Sequence, residues 1–203
     1  MGLVYSLALG ASLLAAPELD ARKIQDQYPI LALQKRWSAA VYLELLIGPD
    51  GRVADCTPLE AFGNEDFASM FCEIVAKVKA VPTKDAEGKP SFGVVRTTVR
   101  MMVPGSSQGD LIEKLPARAP DIEFETRSLP GISESSVRTS ITVAVDEAGG
   151  VGGCQTTEEE HRRYGEAACQ QVSAMTMPPM VDATGKQISY VRSLGVQFSL
   201  AES

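Results

Sequence analysis

Hydrophobic positions alternate from Val41 to Ile47, where Val41, Leu43, Leu45 and Ile47 are separated by Tyr42, Glu44 and Leu46. A period of two predicts a half-buried strand. Gly48-Pro49-Asp50-Gly51 follows as a hairpin turn, with Asp50-Gly51 its strongest local signal, and a second strand is predicted from Arg52 to Leu59. Phe67, Met70, Phe71, Ile74, Val75 and Val78 then recur at spacings of three and four, which predicts a helix with one apolar stripe against the sheet. Pro82 ends that helix, Asp85 to Pro90 form a turn, and Phe92 to Val103 alternate as a closing strand.

The same order returns later in the chain. Aligning Cys56 with Cys154, 98 positions on (154 minus 56), matches Gly51 with Gly149 and Val53 with Val151, and sets Leu43, Leu45 and Ile47 against Ile141, Val143 and Val145. Past the helix the offset is 97 (169 minus 72): Cys72 matches Cys169, Pro82 matches Pro179, and Asp85-Ala86-Glu87-Gly88-Lys89 matches Asp182-Ala183-Thr184-Gly185-Lys186. The second copy predicts a strand over Thr139 to Val145, a Gly-rich turn and strand start over Glu147 to Gly153, a helix over Glu159 to Met175, and a strand over Tyr190 to Leu200. Thr156 with Glu159 and Thr157 with Glu160 read as overlapping capping boxes at that helix's start. The fold class expected is α+β, with two small units, each a helix packed on a short antiparallel sheet. The units span 22–104 and 121–203, and 105–120, rich in Gly, Ser and Pro, reads as a linker after which Ile122 and Phe124 offer one extra strand.

Size makes the cysteines matter. A chain of 203 residues, 44% hydrophobic, divides here into two units of about 80 residues, and domains that small usually need a staple. Each copy holds two of the four Cys, which allow three pairings. The pairing within each copy, Cys56 with Cys72 and Cys154 with Cys169, is favoured because a repeated unit carries its own staple, and each closure adds roughly 3 kcal/mol in the chain-entropy model. A four-Cys zinc site is the runner-up, although the short Cys-x-x-Cys pairs that bring two thiolates to one metal are missing. Buried free thiols are the third reading. Leu3 to Ala16 is apolar or small, too short to span a bilayer comfortably, and residues 1–21 therefore read as an export signal with small residues for cleavage at Ala11, Ala15, Ala16 and Ala21. A net charge of −7 argues against nucleic acid as a partner.

Several short motifs in order carry a family resemblance. Tyr28-Pro29 followed by Ala32, the alternating strand, Gly48-Pro49-Asp50-Gly51-Arg52-Val53, Asp55-Cys56, Gly63-Asn64, the helix with Cys72 and the Pro82 to Lys89 segment together resemble the C-terminal domain of the TonB family across 28–103. The second copy looks like a diverged one without the Tyr-Pro start. The resemblance implies a periplasmic α+β module that recognises an extended segment of an outer-membrane receptor by strand addition. A force transducer of that family needs a membrane-spanning helix and a long Pro-rich span, and neither pattern occurs in the sequence. The expectation is therefore a non-catalytic binding or adaptor protein with no integral membrane span, linked to TonB-dependent transport, with Tyr28, Pro29 and Trp37 as candidate binding residues. A structural or assembly protein of the cell envelope is the alternative, and a hydrolase the second.

Candidate chemistry is thin. His161 is the only histidine and lies in a Glu-rich helix start beside Glu158, Glu159 and Glu160, where a solvated residue is the simpler reading than a general base. The Glu run favours a helix dipole more simply than it binds metal. Gly149 to Gly153 aligns with an ordinary hairpin and leads into a strand, unlike a phosphate cradle. Trp37 beside Lys35 and Arg36 reads as packing on the first unit before recognition, and Met175, Met177 and Met180 as a helix end on the sheet. No enzyme activity, cofactor or metal is expected.

Overall fold

Both predicted hairpins form, and the same backbone device fixes each. In the computed structural model, which describes residues 14–201, strand β1 (Ala39–Ile47) turns into β2 (Val53–Gly63), and β6 (Ser136–Val145) turns into β7 (Val151–Thr156). Gly51 takes φ +81° and Gly149 φ +92°, the left-handed region that suits glycine. Each turn is clasped by the chain beyond the following helix: the Ala80 N–H donates to the Gly51 carbonyl at 2.9 Å, and the Met177 N–H to the Gly149 carbonyl at 2.8 Å. A Cβ on either glycine would stand within 2.5 Å of a carbonyl oxygen, so both positions combine close approach with positive φ. The later Asp turns match too, since Asp85 Oδ1 accepts from the Glu87 and Lys89 N–H groups and Asp182 Oδ1 from those of Thr184 and Lys186.

The remaining elements complete the order. Before β1 lie two short helices, α1 (Ala21–Gln25), capped by the Asp20 carboxylate, and α2 (Ile30–Gln34). After β2 come α3 (Glu65–Ala68), α4 (Phe71–Ala76), β3 (Thr83–Lys84), β4 (Pro90–Met101), α5 (Ser107–Glu113) and β5 (Ile122–Thr126). After β7 come α6 (Arg162–Val172), β8 (Met180–Val181), β9 (Gln187–Ile188) and β10 (Tyr190–Leu200). The chain is α+β, as its pattern implied. In place of two separate small sheets, however, eight strands run in one sheet in the order β2-β1-β4-β10-β6-β7, with β3 beside β4 and β5 beside β10, while β8 and β9 pair with each other apart from it. No helix among the described residues is long and apolar enough to cross a membrane.

The join is a short parallel pairing of Tyr190–Arg192 with Phe92–Val94. Partners in a parallel pair share a face, so Val94 and Arg192 lie on one side. On β1 that side holds Glu44 and Leu46, because Glu44 pairs with Arg96 and Leu46 with Val94. Leu43, Leu45 and Ile47 point the other way, into a core with Phe67, Phe71, Ile74 and Val75. Leu46 and Val94 belong instead to the second core, with Tyr164, Ala168, Val172, Val143 and Tyr190. Helices α3 and α4 thus cover one face of the sheet and α6 the other.

Three local expectations are corrected. The stripe from Phe67 to Val78 is broken into α3 and α4, because Ser69 Oγ donates back to the Asp66 carbonyl at 2.8 Å and the Met70 N–H bonds to Phe67, three residues back, at 3.1 Å. The capping boxes do not form: Thr156 ends β7, the Thr157 hydroxyl donates to the Ser140 carbonyl at 2.9 Å, and α6 starts only at Arg162. Segment 105–120, read as a linker, contains α5, whose Ile112 is buried near Gly63. The anticipated extra strand at Ile122 and Phe124 is β5, paired in parallel with β10.

Most of the apolar signal-like stretch, residues 1–13, lies outside the described residues. Residues 14–21 are packed into the fold. Ala15 and Lys84 exchange backbone hydrogen bonds at 3.2 and 3.1 Å, the Val81 N–H donates to the Glu18 carbonyl at 2.8 Å, and Leu14 is buried near Gly153. A chain starting at residue 22 is therefore expected to be less stable by about 2–3 kcal/mol than one starting at residue 14, chiefly from the lost burial of Leu14 and Pro17. Urea unfolding of the two chains checks this, and equal midpoints would show that the segment is not part of the fold.

Candidate functional site

A sheet offers a partner its unpaired edges, and joining the strands consumes two of them. β4 pairs with β10 over Phe92–Val94 and Tyr190–Arg192, and β5 covers β10 from Val196 to Leu200. Among the described residues the outer edges of β2 and β7, at the two ends of the sheet, stay free, and the outer side of the short β5 and the β10-facing side of β4 beyond Val94 also have no strand partner. β2 is the longer at 11 residues, against 6 for β7, and is exposed along nearly all of its length. Its ladder with β1 is interrupted twice, since Glu60 pairs with Tyr42 and Pro58 with Leu43, leaving Leu59 as a bulge, and Ala54 is skipped in the same way. Bulges and a proline blunt an edge against indiscriminate pairing. The run Glu60–Gly63 between the bulge and α3 is regular. The Asn64 N–H donates to the Ser38 carbonyl at 3.0 Å, so by alternation Glu60 and Phe62 also turn their backbone groups toward β1 while Ala61 and Gly63 turn theirs outward.

Each free edge is stapled. Cys56 on β2 is bonded to Cys72 on α4, and Cys154 on β7 to Cys169 on α6, with Cα separations of 5.7 and 5.5 Å. The within-copy pairing holds, and neither a zinc site nor free thiols remain. An edge strand has a neighbour on one side only, and the bond to a helix supplies a second attachment. Two disulfides also point to a chain exported to an oxidising compartment.

The strongest electrostatic feature lies in the fork where β4 and β10 diverge. Asp121 Oδ2 accepts from the Gly195 N–H at 2.8 Å, while Oδ1 meets Arg118 and, at 3.5 Å, Arg96. Arg96 Nε also donates to Glu44 Oε2 at 2.5 Å. Arg192 lies 3.6 Å from Asp121 and 3.7 Å from Glu44, with only 7% of its side chain exposed. Three guanidiniums thus surround two carboxylates. Burial pulls the Arg96 pKa down, but its bond to Glu44 and the Glu44 charge outweigh this, and the net shift is upward. Burial raises the pKa of Tyr42, over whose ring the Arg118 guanidinium lies at 4.5 Å.

The residues singled out from the sequence lie elsewhere. Tyr28 and Trp37 come together, the Tyr28 hydroxyl donating to the Trp37 carbonyl, and Tyr28 packs on Phe67 at 5.0 Å. Pro29 caps α2, and Trp37 is half-buried with Lys35 Nζ 4.6 Å from its ring. Tyr28 and Trp37 brace the first core's margin, although α2 beside them turns Ile30, Leu31 and Leu33 to solvent. His161 caps α6 without a side-chain bond, its ring 6.5 Å from that of Tyr164. Sequence reasoning missed Glu44, Arg96, Arg118, Asp121 and Arg192. The available signal was a charge at mid-strand positions in apolar runs, as in Val94-Val95-Arg96 and Tyr190-Val191-Arg192.

No protein-family model matches the chain, and no curated protein or solved structure matches it.

Replacing Asp121 by Asn leaves the three guanidiniums facing Glu44 alone. The expected loss is about 3–5 kcal/mol, the usual effect of removing one member of a buried charge group. Urea denaturation measures it, and a change under about 0.5 kcal/mol would mean that water screens the cluster.

Proposed function

We propose that the chain is a non-catalytic periplasmic protein that binds an extended partner segment by strand addition, built from two TonB C-terminal-like units of which the second has diverged. The observation that carries this reading is the free, exposed outer edge of β2 with its regular run at Glu60–Gly63. Main-chain hydrogen bonds to Ala61 and Gly63 supply affinity, and side-chain contacts supply selectivity. Leu59 and Phe62, 44% and 38% exposed, offer apolar contact beside that edge. β2 carries Asp55 and Glu60 and no Lys or Arg, so the edge favours a segment with basic residues and disfavours a second copy of itself, which would set like charges together. A segment of an outer-membrane receptor is the partner class that the TonB resemblance suggests, and the two disulfides support a periplasmic location.

The test is titration of a short extended peptide of alternating Val and Lys, followed by amide chemical shifts. Shifts are expected along β2, centred on Ala61 and Gly63. Ala61→Pro removes an outward N–H without touching the ladder to β1, and is expected to weaken binding about fivefold or more while leaving thermal stability nearly unchanged. Unchanged affinity in that variant, or shifts confined to other surfaces, would remove the basis for strand addition at β2.

A further inference from the structure

The sheet face turned away from α3 and α4 holds a cavity of about 470 Å³ between β4 and segment 115–121, on the other side of the fork from α6. Its lining divides by chemistry. Phe62 and Leu115 give an apolar wall, and Arg96, Arg100 and Arg118 converge on the remainder above Tyr42. Asp121 also lines it, but both of its oxygens are committed to the fork and 6% of its side chain is exposed. Glu60 stands at the rim, on exposed β2.

Arg100 is the group left over. Arg96 and Arg118 are ion-paired with Glu44 and Asp121, whereas Arg100 pairs with no carboxylate among the described residues. One of its NH₂ groups donates to the Leu115 carbonyl at 3.1 Å, and its Nε is buried without a hydrogen-bond partner. Behind the fork, Arg192 adds a fourth guanidinium whose Nε is likewise buried and unpartnered. Three of these guanidiniums, Arg96, Arg100 and Arg118, line the cavity against the two carboxylates of Glu60 and Asp121, in a chain of net charge −7. Arg100 therefore keeps donors in the cavity that no carboxylate among the described residues takes up.

We infer that this cavity binds a small organic carboxylate with an apolar body, its carboxylate on the Arg100 fork and its body against Phe62 and Leu115. A guanidinium presents paired donors that match the two oxygens of a carboxylate. The volume is within the range of small-molecule sites, which join an apolar lining to a few placed polar groups. A bare inorganic oxyanion would satisfy the charge and leave the apolar wall wet. This site shares Phe62 with the surface proposed for strand addition at β2, but it does not use the outward backbone groups at Ala61.

Phenylacetate, phenylacetamide and sulfate are the probes, titrated into the full chain with amide shifts and calorimetry as readouts. Phenylacetate is expected to give saturable shifts at Thr98, Arg100 and Leu115, phenylacetamide none, and sulfate at most weak ones. Arg100→Gln is expected to weaken phenylacetate about tenfold or more, the usual effect of losing charge-assisted hydrogen bonds. Phe62→Ala, at a partly exposed position that leaves the fold intact, is expected to weaken phenylacetate and not sulfate. Ala61→Pro is expected to leave phenylacetate affinity unchanged, which separates this site from the β2 edge. Absence of phenylacetate binding, equal binding of the amide, sulfate binding as tightly as phenylacetate, or undiminished affinity in both Arg100→Gln and Phe62→Ala would each overturn the assignment.

Discussion

Three residues of parallel pairing, Phe92–Val94 against Tyr190–Arg192, hold the two halves of the sheet together. Parallel pairs are slightly less stable per residue than antiparallel ones, and so short a ladder gives little stability alone. The charge group at its end adds what the ladder lacks. Asp121 takes the Gly195 N–H where β10 leaves β4, and the same carboxylate meets Arg96 from β4, Arg118 from the connecting segment and Arg192 from β10. Every strand that meets at the fork contributes a charge or a backbone donor to one buried side chain.

The geometry of that seam decides what is left for a partner. Because partners in the parallel pair share a face, and because Arg192 shares its face with Leu46 rather than Leu45, the helices cover opposite sides of the sheet. Among the described residues the two ends of the sheet remain open, besides the outer side of the short β5. Those ends are β2 and β7, the strands that carry Cys56 and Cys154. Free backbone edges are a hazard as well as an asset, and here each is bent by a bulge and bonded to a helix. The disulfides thus act where the sheet has least support of its own.

Much of each half was legible because it follows from local pattern. The alternation of Val41 to Ile47, the Gly51 and Gly149 turns, the Asp85 and Asp182 turns and the within-copy cysteine bonds all depend on neighbours close in sequence. The break at Ser69 and Met70 was hidden, since apolar spacing is the same whether or not a turn slips to a three-residue bond. The seam was hidden for a different reason: it joins residues nearly a whole repeat apart, and periodicity carries no information about which strand edges will meet. Tyr28 was legible only through resemblance and Trp37 through its place beside Lys35 and Arg36, and the two come together where Tyr28 packs on Phe67.

Comparing the copies position by position locates the weld. Leu43 pairs with Thr97 as Ile141 pairs with Leu194, so Val95 corresponds to Arg192, Arg96 to Ser193 and Glu44 to Thr142. None of the three charged residues has a charged counterpart; Arg118 lies in the segment between the copies, and Asp121 is the first residue of the second. Two like copies joined edge to edge along parallel strands would place equivalent side chains on opposite faces, where a charge on one cannot reach its twin on the other. The ion group forms on one face only, because the two copies carry unlike residues at these positions. The same asymmetry sets Arg96 and Arg118 on one face beside Phe62 and Leu115, where Arg100, which takes no part in the seam, adds a third guanidinium to the cavity.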